Sequence, residues 1–204
     1  MDDLTLQRRS PLADMALDIR EGAVTGDRQV RLAELPYLTM ISVRVDPGSP
    51  AAAAVEGVLG ARLPRSCGQV TADGSHHVLW LGPDEWLIVS EVAPGVLLDA
   101  LTDAVGDAHA ALVDVSANRT LLELSGPAAR SVLEKGCPVD LHPRFFDAGR
   151  AVATTLARIP LLIWQAGPDK YRLMPRSSFA QYVASWLLDA MQEFASDFRD
   201  GAGS

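Results

Sequence analysis

Apolar residues along this chain change spacing in an order that occurs twice. Leu38 to Val45 is rich in β-branched residues and predicts a strand. Ser49-Pro50 opens a helix over Ala51 to Leu59. Ser is a good N-cap, Pro is tolerated at the first helical position, and Gly60 with Pro64 ends the segment. Val78-Leu79-Trp80-Leu81 then runs into Gly82-Pro83-Asp84, and Glu85 to Val89 runs out of it. This predicts a hairpin, because Pro presets φ and Asp bonds within its own turn. A second helix follows over about 95–105, with Leu97, Leu98, Leu101 and Val105 on one side. Leu112 to Ser116 alternates apolar and polar residues. That segment either closes the first sheet or runs nearly straight into the next strand through Ala117-Asn118.

The order then returns. Thr120 to Leu124 predicts a strand, and Ser125-Gly126-Pro127 opens a helix that Gly136 and Pro138 close. Val152 to Trp164 predicts a hairpin strand bent or broken near Pro160, since Pro cannot donate to a ladder. Gly167-Pro168-Asp169 repeats the turn, and Tyr171 to Met174 leaves it. The last helix has the clearest periodicity: Phe179, Tyr182, Val183, Trp186, Leu187, Ala190, Met191 and Phe194 form one stripe, with Ser177 or Ser178 as the cap. The reading is α+β, with two fused ferredoxin-like β-α-β-β-α units. The first repeat spans 36–117 and the second 118–198. Residues 1–35 read as an extended N-terminal arm with room for a short docked helix, and 199–204 as a loose tail.

Composition narrows the function. With 204 residues, 48% apolar and 22% charged, the chain can bury a large core without metals or disulfides. A net charge of −8 argues against general affinity for nucleic acid or an anionic membrane. Cys67 and Cys137 lack zinc spacing and read as two reduced thiols. No apolar stretch reaches the roughly 20 residues of a membrane span, and the acidic start has no leader pattern, so the expected location is cytoplasmic.

Chemical motifs are scarce. There is no Gly-x-Gly-x-x-Gly, Walker loop, Gly-x-Ser-x-Gly or His-Glu-x-x-His. His76-His77 at a strand entry would point to opposite faces and reads as an exposed turn pair. His109 and His142 are isolated. Asp84 and Asp169 match because the turn is duplicated, which does not require a catalytic pair. Cys137 follows a helix C-terminus, where the dipole does not favour a thiolate. Asp114, Ser116 and Arg119 form a polar cluster, read as either a ligand anchor or an ion-paired crossing between the halves. Trp86 and Tyr171, at corresponding places in the two hairpins, read as core or interface anchors. Trp86, Arg119 and Tyr171 are the candidate partner-interface residues. No catalytic, cofactor or metal residue is assigned.

Several segments together resemble a known family. Val113-Asp114-Val115-Ser116-Ala117-Asn118-Arg119 followed by Leu124-Ser125-Gly126-Pro127 is similar to the folate-binding aminomethyltransferase superfamily. Arg9-Ser10-Pro11-Leu12, Leu81 to Leu87, Gly136 to Pro143 and Tyr171 to Phe179 narrow this to the gamma subunits of heterotetrameric sarcosine oxidases. The resemblance covers about 8–195. It implies an aminomethyltransferase-like fold and a non-catalytic structural subunit of a cytosolic flavoenzyme. That complex is an oxidoreductase that demethylates sarcosine to glycine, forming hydrogen peroxide and, with tetrahydrofolate, methylenetetrahydrofolate. The partners implied are alpha, beta and delta subunits, chiefly alpha. They would carry NAD and the folate site (alpha), FAD and FMN (beta) and zinc (delta), leaving this chain without a cofactor. Iron–sulfur-assembly relatives share Lys135-Gly136-Cys137, but Pro138 to Leu141 departs from their signature. The alternative is a free-standing folate-binding protein that transfers a one-carbon unit.

Overall fold

A computed structural model of the chain describes residues 8–195. Part of the expected irregular arm is ordered structure. Ala13–Met15 forms a 3-10 turn, Ala16–Glu21 a short helix (α1) and Arg31–Glu34 a strand (β1). The first repeat supplies β2 (Thr39–Val45), α2 (Pro50–Leu59), β3 (Val70–Asp73), β4 (His76–Gly82), β5 (Glu85–Ser90), α3 (Pro94–Val105) and β6 (Ala110–Asp114). The second supplies β7 (Leu122–Ser125), α4 (Ala129–Glu134), β8 (Arg150–Leu156), β9 (Ile159–Gly167), β10 (Lys170–Pro175) and α5 (Ala180–Ala195). The tail expected at 199–204 lies outside the described residues, as does the start of the arm at 1–7.

Local chemistry sets the clearest boundaries. Ser49 Oγ accepts the Ala52 amide at 3.2 Å, Pro50 occupies the first turn of α2, and Gly60 ends it at φ 65°. The break expected near Pro160 falls earlier. Ala157 and Arg158 have φ of 48° and 72° and make a two-residue turn between β8 and β9, while Pro160 sits within β9 opposite Thr155. The cap expected at Ser177 or Ser178 is absent. Ser177 Oγ instead donates to the Ala117 carbonyl at 2.8 Å, and a 3-10 turn over Ser177–Phe179 precedes α5. The stripe of α5 is also rotated from the expected one. Ala180, Val183, Ala184, Leu187, Met191 and Phe194 are buried, whereas Phe179 and Tyr182 are exposed.

The first sheet has the order β3-β4-β5-β2-β6, and every pairing in it is antiparallel. With α2 and α3 this is a ferredoxin-like unit plus one extra strand, β3, and β6 closes it beside β2. The second sheet has the order β1-β7-β10-β9-β8. Its closing position beside β7 is held by β1, with Leu32 opposite Leu124 and Glu34 opposite Leu122. Residues 31–34 therefore belong to the second unit, although they precede the first in sequence. An open strand edge invites unwanted pairing, and β1 covers that of β7.

The two sheets face one another, and the helices cover their outer faces. Met40, Leu79, Leu87 and Val89 from the first sheet pack with Leu162, Trp164 and Met174 from the second. Ile41, Val43, Trp86 and Ile88 point the other way, onto α2 and α3. Leu122, Ile163, Tyr171 and Leu173 point onto α4 and α5. At one side the sheets also join edge to edge. The Val70 amide donates to Gly149 and the Ala151 amide to Gly68, each at 2.9 Å. Among the described residues, no helix is long and apolar enough to cross a membrane.

Candidate functional site

The duplicated turns have the same backbone role. The Asp84 carbonyl accepts the Val45 amide at 3.1 Å, and the Asp169 carbonyl accepts the Gly126 amide at 2.9 Å. Each turn thus ties its hairpin to the end of the first strand of its unit. Both carboxylates point into exposed surface. Asp84 lies 3.7 Å from Arg44, and Asp169 takes a φ of 50°. This is turn chemistry, and the structure places the two aspartates at the ends of separate hairpins.

Trp86 and Tyr171 are corresponding residues, but neither presents surface to a partner. Trp86 has no exposed area, and its indole donates to the Pro64 carbonyl at 2.9 Å. Tyr171 is 2% exposed, and burial pushes its phenol pKa up. Their expected part in an interface is corrected. Positions 86 and 171 fall on the strand faces covered by helices, so both side chains are core anchors.

Where the two units meet, a cleft of about 660 Å3 opens between Leu35-Pro36, His77, Glu91, Glu123 and Arg172. The Arg172 guanidinium lies 4.6 Å from the centroid of the Trp164 ring, and His77 approaches that ring at 4.7 Å. Glu123 accepts from Arg172 Nε at 3.2 Å and lies 3.7 Å from Lys170 Nζ. Burial lowers the His77 pKa, and nearby Arg172 lowers it further, so the neutral ring is favoured. His77 is therefore a half-buried contact between the units and not the exposed turn residue expected. Two cations sharing Glu123, with Glu91 on the rim, leave the cleft nearly balanced in charge. Its ion pairs link neighbouring strands of the second sheet, and the His77–Trp164 contact joins the two sheets.

A second, smaller groove of about 170 Å3 lies where the arm passes the connection between β6 and β7. Glu34 at the end of β1 accepts the Thr120 hydroxyl at 2.9 Å and also the Ser10 hydroxyl. These bonds fasten the arm to the second unit beside the connection from the first. The Asp114 carboxylate caps its own turn, accepting the Ser116 amide at 2.9 Å. Arg119 turns away from it and donates to the Met174 carbonyl at 2.9 Å. The cluster is therefore neither an Asp114–Arg119 ion pair nor one three-residue anchor. Arg119 instead lies opposite Arg176 in a short antiparallel bridge. Burial, with Arg176 alongside, lowers its pKa. Tyr37 stands on the same rim, 57% exposed, with φ 65° and its hydroxyl donating to the Arg8 carbonyl at 3.1 Å. A bulky residue in that backbone region is uncommon and strained. Sequence reasoning missed Tyr37, Arg8 and Arg176. The Arg8-Arg9-Ser10-Pro11 run was a signal for one of them, and nothing local marked the others.

The isolated groups stay apart. His109 and His142 are exposed. Cys67 is exposed and Cys137 buried, both as free thiols. Among the described residues, no three His, Cys, Asp or Glu side chains are grouped to hold a metal ion.

Comparison with known proteins supplies what the geometry leaves open. The profile of the family described as sarcosine oxidase, gamma subunit, matches residues 44–193. The sarcosine oxidase subunit gamma of Corynebacterium sp. strain U-96 is 46% identical over 197 residues, which is 96% of each chain. A chain in the structure of the heterotetrameric sarcosine oxidase from Corynebacterium sp. U-96, in complex with pyrrole 2-carboxylate, superposes with a TM-score of 0.89 at 45% identity. The match covers 93% of this chain and 97% of that one. The glycine cleavage system aminomethyltransferase T of Bartonella henselae has a TM-score of 0.61 at 14% identity. It covers 87% of this chain and 56% of that one, and so shares the fold. The protein described here belongs to the sarcosine oxidase gamma subunit family.

Proposed function

We propose that this chain is the gamma subunit of a heterotetrameric sarcosine oxidase and serves it as a structural, non-catalytic member. The observation that carries the reading is the near full-length match, in sequence and in fold, to a chain of such a heterotetramer. The site geometry agrees with it. In the cleft between the units Glu123 is engaged by Arg172 and Lys170, and His77 packs against Trp164, which are contacts that hold a scaffold together. On this reading catalysis belongs to the other subunits. Alpha, beta and delta are the proposed partners, with NAD, tetrahydrofolate, FAD, FMN and zinc held there, in the cytoplasm.

Of the three candidate contact residues, Arg119 alone keeps accessible surface, and we retain it for the interface with a partner subunit. Co-expression with the other subunits tests the function. The chain should co-purify with flavin-containing subunits in equal amounts, and its omission should lower the yield of assembled oxidase. Recovery of a fully active flavoenzyme lacking this chain would refute the role. Calorimetry with tetrahydrofolate tests the free-standing alternative, for which tight binding by the chain alone is required.

A further inference from the structure

The chain is strongly acidic overall, yet one small region concentrates cations without counter-ions. Arg119 and Arg176 lie side by side in an antiparallel bridge, and like charges directly across such a pair are destabilising. Arg8 and Arg119 line the smaller groove, and Arg176 stands at its edge, next to the lining residue Ser177. Among the described residues, none of these three arginines is within ion-pair distance of a carboxylate. The acids nearby are already engaged: Glu34 with Ser10 and Thr120, Asp114 with Ser116, and Asp14 with Arg9. Arg119 is half-buried and has one hydrogen bond, to the Met174 carbonyl, although a guanidinium carries five donors. A desolvated cation with spare donors, facing another cation, is a cost that an incoming anion removes.

We propose that this groove receives a carboxylate side chain from an acidic segment of a partner subunit, with Arg119 and Arg176 gripping the carboxylate, Arg8 flanking it and Tyr37 covering it. The inference rests on the reading of the chain as a subunit. Size favours a side chain over a cofactor, since about 170 Å3 is below the range of roughly 300–1,000 Å3 typical of small-molecule sites. Exposed Tyr beside Arg is the composition of an interface anchor. The strained φ of Tyr37 holds its ring on the rim, and its hydroxyl ties it to the Arg8 backbone. Charge complementarity therefore identifies the occupant as acidic, and a protein of net charge −8 would otherwise repel it.

The test uses the full co-expressed complex, captured through a tag on another subunit and washed with increasing salt. Arg8→Glu and Arg176→Glu are exposed changes outside the core. Each should weaken retention of this chain by about tenfold and shift its release to lower salt. Arg176→Lys should retain most of the binding. Arg62→Glu, exposed on the first unit away from the groove, should behave as wild type. Wild-type retention by both Arg8→Glu and Arg176→Glu would overturn the proposal, as would equal loss with Arg62→Glu. Saturable binding of inorganic phosphate to the chain alone, abolished by Arg176→Glu, would also overturn it, in favour of a free-anion site. Failure of the wild-type chain to be captured would instead count against its being a subunit, so the two readings fail separately.

Discussion

Gly126 should be intolerant of any side chain, and the size of the effect follows from where it sits. Its φ is 118°, outside the left-handed helical well and in a region that only glycine adopts readily. A Cβ added there would collide with the Gln29 carbonyl oxygen and lie 3.1 Å from both the Gln29 carbonyl carbon and Val30 Cα. These are backbone atoms, so no rotamer change relieves the contact. The segment is also held from three sides: the Ala128 amide donates to Gln29 at 3.3 Å, the Gly126 amide donates to Asp169 at 2.9 Å, and Val30 bridges Val24. Backbone strain alone costs about 1–3 kcal/mol. Relief by displacement would lift Val30 and Leu32, each 1% exposed, at about 1.5–3 kcal/mol for each side chain released. With the clash relieved by release of one of these side chains and some strain remaining, Gly126→Ala should destabilise by about 3–5 kcal/mol. Urea unfolding followed by far-UV circular dichroism should show the midpoint falling by about 2 M, taking a slope of about 2 kcal/mol/M. Hydrogen exchange should show lost protection along β1 and β7 before β2 and β5. Gly57→Ala is the opposite control, since that site is an exposed helical position with open space around it, and it should stabilise by up to about 1 kcal/mol. A Gly126→Ala protein within about 0.5 kcal/mol of wild type would refute the claim that β1 is locked against the Gly126 turn.

Trp86→Ala should cost about 3–5 kcal/mol by leaving a cavity between the first sheet and its helices, and Trp86→Phe about 1–2 kcal/mol, chiefly by leaving the Pro64 carbonyl unbonded. Denaturant midpoints measure both, and equal costs for the two changes would contradict the hydrogen bond. Gly136→Ala would press a methyl against the Trp186 ring, whose atoms lie 2.6–2.7 Å from the Cβ position, and should lower stability by about 1–3 kcal/mol; an unchanged melting midpoint would mean that α4 and α5 pack more loosely than described. His77 supplies a pH dependence. Its folded pKa lies below the unfolded value of about 6.5, so its contribution is complete above that pH and is lost as pH falls through the folded value. Melting midpoints of wild type between pH 5 and 7 should fall more steeply than those of His77→Gln, and parallel curves would remove His77 as the cause.

Most of the fold was legible because its signals are short-range. The Ser49-Pro50 start and Gly60 stop of α2, both Gly-Pro-Asp turns and the stripe of the last helix act over a few residues. The site was less legible. Arg119 was identifiable as a polar residue beside a strand, but its neighbour Arg176 is far along the chain and shares no pattern with it. Trp86 and Tyr171 were recognised as a matched pair. Which face of each hairpin would be covered depends on how the sheets stack, and alternation alone does not say which side is which.

The amino-acid order by itself settles most of the elements, their twofold repetition and the family, because periodicity, caps, turns and characteristic segments are all local; β1 and β3 lack such a signal. Tertiary structure alone decides that β1 closes the second sheet. Arg31–Glu34 is only four residues long, and its partner β7 begins at Leu122, so no local pattern connects them. It also decides that the sheets meet face to face, so that His77 and Trp164 touch across the units, and that the pairing of β7 with β10 leaves Arg119 beside Arg176. The physical reason is that long-range pairing is chosen by the burial and hydrogen bonding of the whole chain, and an unpaired edge or uncovered face becomes apparent only once every other element has taken its place.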